Sequence, residues 1–181
     1  MELLLIRHGE AVEAAPGLGD TGRWLTAKGR RQTRKVASWL AKKSVRRPVT
    51  LWTSPLVRAV QTAEIVAERV GLEDDVVAIR ELAQGADPAE LLRLVTGHRG
   101  PSPLGLVGHE PGLSALARLL LGSHVPWPGI KKSGVAALAL GEAADGRVQA
   151  CFRFLLVPKG MQRIRELGDE AADGQGQEAQ A

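Results

Sequence analysis

Short apolar runs alternate with helix-patterned stretches along most of this chain, and that alternation is the strongest constraint on its fold. Residues 2–6, 49–53, 76–79 and 104–107 read as buried strands, because each is short and rich in branched apolar side chains. Thr26 is placed to cap a helix in which Val36, Ala37 and Leu40 share one face and which fades near Lys43. Pro55 suits the first turn of a second helix, which carries Ala63, Ile65, Val66 and Val70 and stops at Gly71. Asp87 caps a short third helix that begins with Pro88. Pro111 opens a fourth, through Leu113, Leu116 and Leu120, which ends at Gly122. Residues 135–140 and 147–156 read as two strands joined by a turn at Asp145-Gly146, and a last short helix is expected over 159–167. Strands alternating with helices predict an α/β fold, a three-layer α/β/α sandwich around a mainly parallel sheet.

With 181 residues, 44% of them apolar, the chain has material for one real core and hardly two. The single cysteine, Cys151, excludes an intramolecular disulfide and reads as an inert core residue of an apolar strand. No window approaches the ~18 apolar residues of a membrane span, and the apolar start is too short for a signal peptide. A cytoplasmic protein is expected.

Charge is unevenly spread. Residues 166–181 hold five acids and no base, and without them 24 bases face 15 acids, a net +9. The stretch from 168 on lacks large apolar residues and is expected to be a disordered acidic tail, which leaves 1–167 as the single folded domain. Residues 21–63 hold eleven bases and no acid. Such a stretch is either a solvated helix face or a docking surface for an acidic protein or phosphate-rich ligand. With aromatics at only 3%, a base-stacking surface for nucleic acid is not expected.

In sheets of this type ligands bind beyond the carboxyl ends of the strands. Arg7, His8, Gly9 and Glu10 follow the first strand. Ser54, Pro55 and Arg58 follow the second, and Gly108, His109, Glu110 and Pro111 follow the fourth. Arginine binds phosphate through a planar fork of donors, and a neutral histidine is a nucleophile. A helix starting at Pro111 turns free N–H groups to the same place. Two histidines and two arginines at one sheet edge therefore predict a site for a dianionic phosphoryl group. His98 and His124 fall in loops and read as surface residues. Trp24 and Trp127 are candidates for the pocket mouth.

These residues resemble the histidine phosphatase superfamily, the phosphoglycerate mutase-like proteins. Arg7-His8-Gly9 matches its Arg-His-Gly motif, and Leu25-Thr26-Ala27-Lys28-Gly29 its Leu-Thr-x-x-Gly segment. Residues 54–63 match its Ser-Pro-x-x-Arg-Ala-x-Gln-Thr-Ala segment, and Gly108-His109-Glu110-Pro111 its second-histidine motif. The likeness spans roughly residues 1–157 and is greatest to the small SixA-type phosphohistidine phosphatases. The resemblance implies that His8 attacks phosphorus and forms a transient phosphohistidine. Arg7, Arg58 and a protonated His109 would hold the phosphoryl oxygens, and Gly9 would let the backbone approach the ligand. It also implies no cofactor and no metal. A carboxylate after the third strand acts as general acid in phosphomonoesterase members, and Glu81 stands in about that place. Asp20 and Glu10 are further carboxylates near the mouth.

Short linkers predict an open pocket, which suits a phosphorylated histidine-containing protein as partner, with phosphate or other small anions entering the same pocket. No nucleic-acid or membrane partner is expected, and the chain is expected to be a monomer. A small-molecule phosphomonoesterase and a polyanion-binding module stay open as alternatives.

Overall fold

Residues 3–6 are four consecutive branched apolar side chains, each at most 1% exposed. The strand that holds them, β1 (Glu2–Arg7), must therefore be covered on both faces. A computed structural model describes residues 1–14, 17, 19–72, 76–143 and 148–168, and its sheet meets that requirement. The elements after β1 run α1 (Ala27–Ala41), β2 (Thr50–Thr53), α2 (Val57–Val70), β3 (Val76–Ala78), α3 (Pro88–Gly97), β4 (Leu104–Gly108), α4 (Gly112–Leu121), β5 (Val135–Glu142), β6 (Val148–Val157) and β7 (Gln162–Ile164). The strand order is β3-β2-β4-β1-β5-β6-β7. The first four strands in that order are parallel, and β5, β6 and β7 extend the sheet antiparallel.

Helices α1 and α2 bury Val36, Leu40, Ala63 and Val66 against Leu4 and Ile6 on one face. Helices α3 and α4 bury Leu91, Val95, Leu113 and Leu116 against Leu3 and Leu5 on the other. The result is the α/β/α sandwich that the alternation predicts. The register pairs Arg7 with Gly108 and Thr53 with Val107, so the ends of β2, β4 and β1 lie side by side. Among the described residues, no helix is long and apolar enough to cross a membrane.

The caps follow local chemistry. Thr26 Oγ1 accepts the Gly29 N–H at 2.9 Å and starts α1. Asp87 accepts the Ala89 N–H and starts α3 with Pro88 in its first turn. Gly71 ends α2 at φ 72°, a left-handed position that suits glycine. Pro55 does not start α2. Ser54 Oγ accepts the Leu56 N–H at 3.3 Å, a turn intervenes, and the helix begins at Val57.

Three expectations are corrected. Residues 159–167 are not a helix: a single 3-10 turn at Lys159–Met161 leads into β7, which pairs with β6. Gly160 and Met161 at φ 71° and 54° stop helix propagation, and the open edge of β6 supplies hydrogen bonds instead. Cys151 is exposed on β6 rather than in the core, because it faces away from Ala150 and Phe152, which pack against the core on the other side of the strand. Trp127 is a core residue 7% exposed, its Nε1–H donating to Ser114 Oγ at 2.9 Å, whereas Trp24 is exposed. His124 is exposed as expected, and His98 is half-buried, edge-on to Trp52 at 5.2 Å. The proposed turn at Asp145-Gly146, and the tail beyond Gly168, lie outside the described residues.

Helix α1 carries Lys28, Arg30, Arg31, Arg34 and Lys35 and no acid. Arg30–Arg34 and Arg31–Lys35 are like-charge pairs at i,i+4, each destabilising the helix by roughly 0.2–0.5 kcal/mol.

Candidate active site

Backbone pairing beyond the strand ends brings the two histidines together. The His8 N–H donates to Gly108 O at 3.0 Å, and the Ser54 N–H donates to Val107 O at 2.9 Å. The His8 and His109 rings then stand 4.9 Å apart, centre to centre, 8% and 4% exposed. His8 Nδ1 lies 2.7 Å from Gly9 O. A carbonyl only accepts, so Nδ1 carries the proton and Nε2 keeps its lone pair. That is the tautomer a nitrogen nucleophile requires.

Arg58, on the first turn of α2, is 1% exposed. Its Nη1 donates to Asp20 O at 2.7 Å, and its Nη2 donates to the Asp20 carboxylate at 2.8 Å and to Gln84 Oε1 at 2.9 Å. Asp20 also accepts from Arg23 at 3.0 Å. Arg23 first, then Arg58, hold the Asp20 carboxyl below its ordinary range. Arg7 Nη1 donates to Ile130 O at 2.9 Å, and Glu110 fixes that loop by accepting the Ile130 N–H at 2.7 Å. Burial lowers the Arg7 pKa, and the nearby charge of Glu110 opposes that shift.

Three buried nitrogens of this cluster, Arg7 Nε, Arg58 Nε and His109 Nδ1, have no hydrogen-bond partner among the described residues. Unpartnered buried donors are rare and point to a ligand with acceptor oxygens. His109 Nε2 is 2.8 Å from Ser54 Oγ, which orients the ring. Thr62 Oγ1 accepts the Gly9 N–H at 3.1 Å and donates to Arg58 O at 2.7 Å, tying the turn after β1 to α2. A Cβ on Gly9 would stand 2.8 Å from Thr33 Oγ1, so close packing requires glycine there.

Of the sequence-selected residues, Arg7, His8, Gly9, Arg58 and His109 converge on one edge. Glu10 is tied down by Lys28 at 2.8 Å and Thr26 at 3.0 Å. Glu81 lines a cleft with Gln84, His109 and Glu110, between the turn after β3 and the start of α4. Its own backbone N–H, then Arg80, hold its carboxyl below the usual range. This is the wrong direction for a group that must carry a proton at neutral pH. Gln84, Thr62 and the positioning role of Glu110 were not singled out. Thr62 and Glu110 fall inside the matched motifs, while Gln84 carries no sequence signal. Among the described residues no group of three or more His, Cys, Asp or Glu could hold a metal ion.

Burial pushes His8 down to about 4 and His109 down to about 3, with the arginines, and His8 for His109, adding to the shift. His109 is therefore neutral here rather than protonated, and the positive charge facing a ligand comes from Arg7 and Arg58. An arriving dianion favours the protonated ring. Both folded pKa values lie below the ordinary ~6.5. Stability is thus full above about pH 6.5 and falls as pH drops toward 4 and 3, where the unfolded chain binds more protons. Between pH 6.5 and 4.5, before most carboxylates titrate, the loss should be on the order of 2 kcal/mol per ring. Urea midpoints across that window check this. A flat profile from pH 7 to 4.5 contradicts it.

A model of the histidine phosphatase superfamily (branch 1) matches residues 3–86. The chain is 38% identical over 157 residues to an uncharacterized protein of Picosynechococcus sp., covering 83% of this chain and 90% of that one. It resembles the protein histidine phosphatase SixA complexed with tungstate, at TM-score 0.78 and 24% identity over 90% of this chain and 100% of that one. It also resembles a candidate phosphohistidine phosphatase SixA from Agrobacterium tumefaciens, at TM-score 0.72 and 28% identity, over 87% and 97% of the two chains. An alpha-ribazole phosphatase from Shigella flexneri shares the fold at TM-score 0.67 and 21% identity, over 87% and 97%.

Proposed function

Because the chain belongs to the histidine phosphatase superfamily, we propose that it removes the phosphoryl group from phosphohistidine on a protein, through a covalent phospho-His8 intermediate. His8 Nε2 attacks phosphorus, forming one N–P bond while the bond to the substrate imidazole breaks. Arg7 and Arg58 draw charge off the phosphoryl oxygens in the transition state. His109 Nδ1 contributes a further contact when it carries a proton. Water then attacks the phosphoenzyme and releases phosphate.

The observation that carries this reading is the engagement of Glu81. Its carboxylate pairs with Arg80 at 3.1 Å, which favours the form without a proton. An alkoxide leaving group needs a proton, whereas a substrate imidazole leaves without one from a carboxylic acid. The resemblance to SixA proteins supports the same choice. A cytoplasmic setting is part of the proposal.

The test uses an acidic protein phosphorylated on histidine with phosphoramidate, beside an alkyl phosphate. Loss of phosphohistidine and a transient acid-labile, base-stable phosphoenzyme are expected. Faster turnover of the alkyl phosphate overturns the proposal. A second reading, a small-molecule phosphomonoesterase, draws on the position of Glu81 beside His109 in the cleft. Glu81→Gln separates the two. Phosphohistidine turnover should change less than about threefold, while an enzyme built for alkyl phosphates should lose at least ~10²-fold.

A further inference from the structure

Along the exposed side of α1 and its C-cap, Arg34, Lys35, Ser38, Trp39 and Lys42 line a shallow groove together with Met161. Their spacing, i, i+1, i+4, i+5 and i+8, keeps them on one helix face over about 12 Å. Arg34, Lys35 and Lys42 are exposed. Arg31, Lys43 and Arg47 flank the groove in sequence and are exposed too. Among the described residues, none of these six bases is within ion-pair distance of a carboxylate.

Two features set this face apart from an ordinary solvated one. Its charges repel one another along the helix, so they work against the element that carries them. Its floor is apolar: Trp39 and Met161 both pack on the core cluster beneath, and Met161 is held at φ 54°, a position that a side chain seldom adopts. The Arg46 guanidinium lies 3.6 Å over the Trp39 ring, and Phe154 packs edge-on at 5.3 Å. An indole engaged in this way is a poor platform for a stacked base, so the groove lacks the stacking surface that single-stranded nucleic acid uses.

We propose that this groove docks an acidic, amphipathic segment of the phosphorylated protein, with carboxylates on Arg34, Lys35 and Lys42 and apolar side chains on Trp39 and Met161. The charge complementarity carries the choice of occupant. The identity of the partner rests on the phosphohistidine reading above, while the groove itself is testable without it.

The experiment compares the full chain with the Arg34→Glu/Lys35→Glu/Lys42→Glu variant. A fluorescein-labelled 20-residue Glu/Leu peptide serves as probe, read by anisotropy. Wild type should bind it at least tenfold more tightly than the variant. Raising salt from about 50 to 300 mM should weaken wild-type binding at least fivefold and the variant less than twofold. With histidine-phosphorylated acidic protein as substrate, the variant should lose at least tenfold in kcat/KM, through KM. Hydrolysis of free phosphohistidine should stay within twofold. Equal peptide affinity in the two proteins overturns the proposal. So does tighter binding of single-stranded DNA, or a tenfold gain in peptide affinity when the chain is cut after Gly168, which would assign the groove to the acidic tail. A wild type inert on phosphohistidine sinks the proposed function and leaves the peptide measurement to decide the groove.

Discussion

His8→Ala should lower phosphohistidine turnover by at least ~10⁴-fold and abolish the acid-labile phosphoenzyme, with the fold intact. Removing a covalent nucleophile forfeits the whole two-step route, and effects of that order follow. Of the two histidines, only His8 has its tautomer fixed by a backbone carbonyl, whereas His109 Nε2 is engaged with Ser54 Oγ. Both arginines are guanidinium ions without a lone pair to offer. The variant should still bind phosphate, because Arg7 and Arg58 are held by Ile130, Asp20 and Gln84, not by His8. It should also lose stability less steeply between pH 6.5 and 4.5, since one of the two rings that resist protonation is gone. An acid-quenched single turnover with labelled phosphoprotein reads the first claim. A labelled enzyme band in His8→Ala would move the nucleophile elsewhere.

Gly29→Ala should destabilise the protein by about 3 kcal/mol or more and disarm it as well. Inside a helix this substitution ordinarily stabilises by up to ~1 kcal/mol, so the expected sign is reversed. Gly29 is the third residue of α1, and its backbone passes against the segment that follows the first strand. A Cβ there would overlap the Glu10 carbonyl oxygen and stand 2.9 Å from the Glu10 nitrogen. Backbone cannot rotate aside as a flexible side chain can. Either α1 lifts from the sheet or residues 9 and 10 shift, and the second option drags the Gly9 carbonyl away from His8 Nδ1. Overpacking against rigid neighbours costs about 1–3 kcal/mol and occasionally more. For a chain of this size that means a Tm lower by roughly 6–12 °C. Gly97→Ala, at the end of α3 with nothing among the described residues within 4 Å of a new Cβ, is the matched control and should be neutral or stabilising. Equal melting temperatures for the two variants would show that Glu10 yields freely.

Several features were legible because their causes are local. Thr26 and Asp87 start helices through hydrogen bonds to residues two or three positions on. Gly71 stops one because only its own φ is at issue. The parallel strands were legible from their unbroken apolar runs, and their ends told where Arg7, His8, Arg58 and His109 must meet. Other features depend on what lies across the sheet. Cys151 sits in an apolar run, yet it takes the face of β6 opposite Ala150 and Phe152, which pack against the core. Residues 162–164 form a strand only because β6 offers an open edge.

The chain's own order of residues thus determined the sandwich, the family motifs and the set of phosphate-binding candidates, since each follows from periodicity, capping or spacing. Only the tertiary structure decided that Asp20 and Gln84 grip Arg58 and that His109 is neutral. Hydrogen bonds between residues 26 to 38 positions apart, and the loss of solvent around two imidazoles, set those states. Neither quantity exists until the chain has folded.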